Sequence, residues 1–272
     1  MYEGYWQLRS RPFGNSADPR FYYPSEVHQG ALLKLRYAVE SRLGAALLVG
    51  ASGLGKTLLV HVLKRQLPET ISPVVHVVFP QMTSRELLAY LAAEFDGNTV
   101  GERPSADISI RRLKEFLAQN SDRSRHALVV VDEAHLMLDS DLMECLRLLM
   151  NFESSGGPQL SLLLVGQPTL LPALDFMPGF EERLGVKCLL RPLTLDETIS
   201  YVIHRMAAAG ATREIFTQEA LGTLHQLTLG HPRRVNRLCD LALLIGFAEE
   251  HSSIGAAQIE SVCSELIAIG PE

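Results

Sequence analysis

The octapeptide GASGLGKT, residues 50–57, directly follows the apolar run AALLV at residues 45–49. It fits the pattern G-x-x-x-x-G-K-[ST], in which glycines let successive backbone N–H groups turn inward around a phosphate chain. The aliphatic run before it predicts a strand, and the residues after it predict a helix whose N-terminus adds partial positive charge. This strand–loop–helix context disfavours the alternative, a chance glycine-rich turn.

The loop supplies side chains suited to a nucleoside triphosphate and Mg²⁺. We expect the Lys56 ammonium to reach the β- and γ-phosphates and the Thr57 hydroxyl to ligate the metal. The remaining predicted contacts of the bound ATP are Gly50, Ala51, Ser52, Gly53, Leu54, Gly55 and Leu58.

Composition limits the class of protein. The chain has 272 residues, of which 47% are hydrophobic and 21% charged, a balance typical of a globular protein and not of a disordered one. Its formal charge of -6 argues against a surface that coats nucleic acid, although a local basic patch stays open. The cysteines are too scattered for a metal site, and the N-terminus lacks a signal peptide. We therefore expect a soluble, cytoplasmic protein.

Short apolar runs alternate with helical patterns up to about residue 191. Aliphatic runs of this kind predict strands covered on both faces, and the alternation predicts a mainly parallel sheet with right-handed crossovers. Beyond Pro192 only helical patterns follow. The predicted divisions are 1–44, an N-terminal segment; 45–191, the α/β domain; and 192–272, a helical domain. The predicted strands are Ala45–Val49, Val74–Phe79, Ala127–Val131, Leu160–Val165 and Val186–Leu190.

Two carboxylates follow the third of these runs. Asp132 and Glu133 stand at the carboxyl end of the strand, which is where α/β proteins bind ligands. We expect Asp132 to hold Mg²⁺, directly or through a water, and Glu133 to polarise the attacking water. A solvated turn is the alternative. The tetrapeptide DEAH at 132–135 also resembles a helicase signature, but the chain has no room for a second RecA-like domain.

Two more polar residues lie near the ends of predicted strands. Gln167 follows the fourth strand and, if that strand lies between the first and third, would point at the γ-phosphate and the water; a turn without a role is the alternative. Arg183 lies just before the fifth strand. It is either a surface charge paired with a neighbouring glutamate or an arginine finger that acts on the ATP of a neighbouring subunit.

Arginines open one of the C-terminal helices. Pro232 suits the first helical position, so Arg233 and Arg234 fall in the first turn, where positive charge opposes the helix dipole. A nearby phosphate would reverse that penalty, which makes Arg233 a candidate sensor of the γ-phosphate; a solvated basic turn is the alternative. Most histidines have no ligand spacing and are interpreted as core or surface residues.

Taken together, these residues resemble the AAA+ superfamily of ATPases over essentially the whole chain. Within it, the stretch from Phe13 to His28, the segment GQP at 166–168 and GHPRRVNRLCD at 230–240 resemble the ExeA/GspA family of secretion-pathway ATPases. The resemblance implies sheet order 5-1-4-3-2, a helical lid, and a ring or filament with ATP at subunit junctions. It also implies that the N-terminal segment brings Tyr23 and His28 to the adenine, against the alternative of core packing.

The resemblance leaves two functions open. The first is a Mg²⁺-dependent ATPase that drives assembly or remodelling of a cell-envelope secretion machine, with an inner-membrane component as partner. The second is a DNA-associated ATPase that regulates transposition. Family members typically continue into a transmembrane helix and a peptidoglycan-binding region that this sequence lacks, so we expect a cytoplasmic fragment or a stand-alone relative. A third class, a nucleotide-dependent scaffold that hydrolyses little ATP, is disfavoured because the predicted general base, Glu133, is present.

Overall fold

A computed structural model describes residues 1–14, 16–97, 104–138, 141–154 and 157–268. The strands are β1 Ala45–Val49, β2 Ile71–Val77, β3 His126–Val131, β4 Glu153–Ser154, β5 Gly157–Pro158, β6 Leu160–Gly166 and β7 Leu184–Leu189. The helices are α1 Glu26–Glu40, α2 Lys56–Gln66, α3 Ser84–Asp96, α4 Ala106–Asp122, α5 Leu142–Leu149, α6 Leu170–Asp175, α7 Pro178–Glu181, α8 Leu195–Ala208, α9 Gln218–Thr228, α10 Pro232–Ala248 and α11 Ala256–Ala268. Short 3-10 helices lie at Pro19–Phe21 and Ala134–Met137.

Five strands form one parallel sheet in the order β2-β3-β6-β1-β7. Numbered among themselves these strands run 2-3-4-1-5, or 5-1-4-3-2 from the opposite edge. Strand β6 pairs with β1 on one side and with β3 on the other, through Val49↔Gly166 and Val131↔Leu164 near their carboxyl ends. The predicted α/β fold with a parallel five-stranded sheet is confirmed. Strands β4 and β5 form a separate antiparallel pair.

The strands differ in how they are covered. Every residue of β1, β3 and β6 is buried, as their continuous aliphatic sequences predict. The expectation of full coverage is wrong for the outer strands, since β2 is buried only in part and Leu189 of β7 is 60% exposed. Strand β2 also starts earlier than predicted, because an outer strand tolerates Pro73, and it ends before Val78 and Phe79.

The chain divides into two compact units. The sheet unit comprises Val27–Ala51 and Val62–Leu190, and the helical unit comprises Met1–Glu26, Ser52–His61 and Arg191–Glu272. The apolar core of the sheet unit is built from the central strands and from α3, α4 and α5. None of the helices in the described part of the chain is both long and apolar enough to cross a membrane.

The N-terminal residues share a core with the C-terminal helices. The Trp6 indole is fully buried and donates to the carbonyl of Leu243, 2.9 Å away. The Arg205 guanidinium, also buried, donates to the carbonyl of Pro12 at 2.7 Å. The structure thus divides residues 1–44 differently from the sequence interpretation, because Met1–Glu26 belongs to the helical unit and the following residues to the sheet unit.

Local signals set several helix ends. Helix α3 begins with a capping box, in which the Thr83 hydroxyl accepts from the Glu86 N–H while the Glu86 carboxylate accepts from the Thr83 N–H. A second capping box joins Thr194 and Glu197 at the start of α8. Helices α1, α6 and α7 escaped the sequence analysis. The last two are short, so they offer little helical periodicity to detect.

A buried histidine makes the stability of the sheet unit depend on pH. His126 is fully buried at the start of β3, with Nε2 2.8 Å from the Ser161 hydroxyl. Burial, helped by the positive charge of Arg42, lowers the pKa of His126 to about 4. The unfolded chain, with a pKa of about 6.5 at this residue, therefore binds the proton first as the pH falls.

We predict that His126→Gln, which keeps a polar atom near Ser161, flattens the pH dependence of the unfolding free energy. In the normal chain this histidine should cost up to about 3 kcal/mol of stability between pH 7 and pH 4, because each unit of pKa shift is worth about 1.4 kcal/mol. Urea unfolding of both chains at several pH values measures the difference. Parallel losses of stability in the two chains would contradict the prediction.

Candidate active site

The glycine loop has the backbone that its sequence predicts. Gly53 and Gly55 have φ angles of +83° and +88°, which glycine adopts without steric cost. The Gly50 N–H donates to the carbonyl of Gly166, 3.2 Å away, so the loop starts beside the end of β6. Helix α2 then begins at Lys56. The loop therefore leads from a buried strand to a helix N-terminus, the arrangement that binds phosphate.

Lys56 fits the predicted anion. Its side chain is buried, with 6% of the residue exposed. Burial of an ammonium group is costly unless negative charge or good acceptors surround it. A phosphate chain bound by the loop would add negative charge at this side chain, and the N-terminus of α2 favours the same ligand. The residues of the loop therefore fit a nucleoside triphosphate, with Thr57 one residue further along α2.

Asp132 lies where β3 ends. It is 3% exposed, and its Oδ1 accepts from the N–H of Glu133 at 2.9 Å. Its Oδ2 lies 3.7 Å from Nε2 of His76, which stands on the neighbouring strand β2. A buried carboxylate at this edge of the sheet is a suitable oxygen donor for Mg²⁺, either directly or through a water.

Glu133 has an unusual backbone and an accessible side chain. Its φ and ψ are +52° and +36°, a left-handed conformation that costs a non-glycine residue of order 1 kcal/mol. Such strain is concentrated at functional sites. The side chain is 45% exposed, and its Oε2 lies 3.4 Å from Nδ1 of His135. The carboxylate is therefore open to a water molecule, as a general base requires.

Gln167 follows the strand that lies between β1 and β3. The sequence predicts that Gln167 points at the γ-phosphate if its strand lies between the first and third strands. The strand does lie there, because Gly166 pairs with Val49 and the nearby Leu164 pairs with Val131. The residue is partly exposed. Its contact with the γ-phosphate stays a prediction.

Arg233 contacts the glycine loop within the helical unit. Its guanidinium Nη1 donates to the Ser52 hydroxyl at 3.1 Å, and its backbone N–H donates to the carbonyl of Gly53 at 3.3 Å. Burial and the positive charge of Arg234 lower the pKa of His231, just before this helix. An extra anion at the start of α10 would offset this concentration of positive charge.

Arg183 lies at the opposite end of β1 from the loop. Its carbonyl accepts from the N–H of Ala45, the first residue of β1, at 2.9 Å. Among residues with described positions, no glutamate forms an ion pair with Arg183, although neighbouring Glu181 pairs with Lys187 at 2.7 Å. Within the described residues, the paired surface charge considered above is therefore not found; a finger role stays a prediction.

The predicted adenine contacts have ordinary structural surroundings. The Tyr23 ring packs 5.9 Å from the Tyr201 ring and 5.7 Å from the His204 ring, measured between centroids, inside the helical unit. His28 is a buried residue of α1 in the sheet unit, and Leu58 is partly exposed on α2. The packing of Tyr23 agrees with the alternative of core packing. Contact with adenine stays a prediction for Tyr23 and His28.

Two histidines beside Asp132 and Glu133, the carboxylates at the carboxyl edge of the sheet, were not predicted from the sequence as site residues. His76 and His135 were interpreted as core or surface residues, but they lie beside Asp132 and Glu133. The position of His135 in the DEAH tetrapeptide was a signal that could have found it. His76 had no such signal, because its contact with Asp132 depends on the register of β2 against β3.

Comparisons with known proteins agree with this geometry. A family model described as "AAA domain" matches residues 39–174. The general secretion pathway protein A of Aeromonas hydrophila is 34% identical over 277 residues, which cover 100% of this chain and 50% of that protein. The chain therefore spans about half the length of the curated relative it matches.

Solved structures share the fold at low sequence identity. The ORC2 protein of Aeropyrum pernix, solved as ADPNP–ADP complexes, has a TM-score of 0.71 and 20% identity, over 94% of this chain and 71% of its own. The ORC1 protein of the same organism, solved in complex with DNA, has a TM-score of 0.70 and 16% identity, over 96% and 69%. These likenesses support the fold alone.

We predict that Gly53→Ala weakens ATP binding by at least about 10-fold. A Cβ at this position would lie 2.7 Å from the Cβ of Arg233, at a φ of +83°, so the loop or the start of α10 must shift. Gly97→Ala is the matched control, because its φ is +69° but nothing lies within 4 Å of the added carbon. That change should cost about 1 kcal/mol of stability and leave ATP affinity unchanged. Equal dissociation constants for both variants, measured by calorimetry, would contradict the prediction.

Proposed function

This chain is an ATPase that belongs to the AAA domain family, and from that premise we propose that it couples Mg²⁺-dependent ATP hydrolysis to the assembly or remodelling of a cell-envelope secretion machine. The cellular task rests on the 34% identity to a general secretion pathway protein over the whole of this chain. An inner-membrane component of that machine is the proposed partner, reached from the cytoplasmic side. That relative is about twice as long as this chain. The activity of the whole relative is therefore a proposal for this chain.

One observation carries the motor part of the proposal. Arg233, at the start of α10, donates to Ser52 of the glycine loop at 3.1 Å. A γ-phosphate bound by the loop would compete with Ser52 for this guanidinium, since hydrogen bonds to a charged phosphate are the stronger ones. Gain and loss of the γ-phosphate would then act on α10, and through it on the helical unit.

The remaining groups would divide the chemistry among them. ATP would supply the γ-phosphoryl group, and a bound Mg²⁺ would neutralise charge on its oxygens. Lys56 would bind the phosphate oxygens, while Thr57 and Asp132 would hold the metal. Glu133 accepts the proton of the attacking water, and Gln167 orients that water.

We propose that Arg183 acts on a neighbouring subunit. Its carbonyl contacts the start of β1, the end away from the glycine loop, so the residue is remote from the beginning of its own loop. A finger at this place must work across a junction between copies of the chain, in a ring or a filament. Such arginines contribute roughly 10³–10⁵ to the rate.

A second candidate function is a DNA-associated ATPase that regulates transposition. Arg233, Arg234 and Arg237 are exposed within two turns of α10 and make a local basic surface. The net charge of -6 weighs against extensive contact with phosphates. Binding of a duplex oligonucleotide at several salt concentrations separates the candidates, because phosphate contacts produce a steep loss of affinity with salt. Salt-sensitive binding lost in Arg234→Ala/Arg237→Ala would favour the DNA function over the secretion function.

We predict that Lys56→Ala and Glu133→Gln fail at different steps. Without the Lys56 charge the chain should lose ATP affinity, whereas Glu133→Gln should bind ATP and hydrolyse it about 10²–10⁴-fold more slowly, because an amide cannot accept the proton. Calorimetric affinity and steady-state phosphate release test both variants. Unchanged affinity in Lys56→Ala would remove the phosphate role of the loop, and near-normal turnover in Glu133→Gln would remove the general base.

A further prediction concerns the junction. Specific activity should rise with protein concentration, and Arg183→Ala should bind ATP normally but hydrolyse it poorly. Mixing Arg183→Ala with Lys56→Ala should restore activity, since one chain then supplies the loop and the other the finger. Arg233→Ala mixed with Lys56→Ala is the matched control and should show no rescue, because Arg233 serves its own loop. Activity that is independent of concentration and of mixing would return Arg183 to a surface role.

A further inference from the structure

His135 presents a buried nitrogen to the carboxylate of Glu133. The histidine lies in the 3-10 helix Ala134–Met137 that follows β3, and its side chain is 14% exposed. Its Nδ1 is buried and, among the described residues, has no hydrogen-bond partner. The nearest carboxylate oxygen is Oε2 of Glu133, at 3.4 Å. Because an unsatisfied buried polar atom is unfavourable, a small rotation of Glu133 that closes this gap is favoured.

The ring of His135 is held in place by its contact with the end of β6. A Cβ built on Gly166 would lie 3.3 Å from both the backbone N and Nδ1 of His135, and 2.5 Å from Cδ1 of Leu170. Glycine at 166 thus allows the imidazole to lie directly against the strand. Packing of this kind restricts the ring, so Nδ1 is a fixed point for a more mobile neighbour.

Glu133 is that neighbour. Its side chain is 45% exposed and has three rotatable bonds, so solvent alone would leave the carboxylate in several rotamers. Its left-handed backbone turns the chain sharply between β3 and the 3-10 helix, which brings residues 133 and 135 side by side. A general base works only when it stays within hydrogen-bond reach of the water that it deprotonates.

We propose that His135 is a positioning residue for Glu133. In the neutral imidazole with its proton on Nδ1, this N–H donates to Oε2 of Glu133 and fixes the carboxylate plane. Oε1 then remains free to accept the proton of the attacking water. The proposal rests on the proposed role of Glu133 in ATP hydrolysis.

The test compares two substitutions that differ in one donor. The amide nitrogen of Asn reaches the position of Nδ1, so His135→Asn keeps the donor, whereas His135→Leu fills similar space without one. We expect His135→Leu to lower kcat about 10-fold with an unchanged dissociation constant for ATP, and His135→Asn to restore kcat to within about twofold of the normal chain. Melting temperatures of both variants show whether each is folded.

A spectroscopic readout in the nucleotide-free chain tests the contact itself. Glu133→Gln should shift the ¹⁵N resonance of His135 Nδ1, because the carboxylate acceptor is replaced by a weaker amide oxygen. An unshifted resonance, a kcat for His135→Leu within twofold of normal, or equal losses in the Asn and Leu variants would each overturn the proposal. If Glu133→Gln itself hydrolyses ATP normally, the general base has failed and not only its positioning residue.

Discussion

The pairing of β6 with both β1 and β3 is the constraint on which the rest of the site depends. These three strands are fully buried, and their carboxyl ends lie at one edge of the sheet. The glycine loop therefore begins beside Gly166, and Asp132 follows β3 at the same edge. Because the strands of a parallel sheet all point the same way, the loops that follow their carboxyl ends lie at one edge, where α/β proteins bind ligands. Without β6 between β1 and β3, the start of the glycine loop would not be linked through one strand to Asp132 and Glu133.

Residues 50–61 belong partly to each unit of the chain. Gly50 and Ala51 are part of the sheet unit, whereas Ser52–His61 is part of the helical unit, where Arg233 contacts Ser52 and Gly53. The loop is therefore a covalent link between the two units. In the proposed function, a γ-phosphate that draws Arg233 away from Ser52 would act on α10 within the helical unit.

Local patterns were predictable from the sequence, and distant contacts were not. The glycine loop, the buried strands and the capping box of Thr83 depend on neighbouring residues, so periodicity and spacing indicate them. The partial exposure of β7 and the contact of His76 with Asp132 depend on strand order and register, which no local pattern encodes. The N-terminal segment shows the same limit, because the Trp6 contact joins residues 237 positions apart.

The measurement that tests the central claim most directly is a crystal structure of Glu133→Gln with ATP and Mg²⁺. The account predicts phosphates bound by the backbone of residues 50–57, with Lys56 on the β- and γ-phosphates and the metal held by Thr57 and Asp132. It also predicts that Arg233 has exchanged Ser52 for the γ-phosphate. Nucleotide bound elsewhere, or a triphosphate in the loop with the contact between Arg233 and Ser52 intact, would contradict the account.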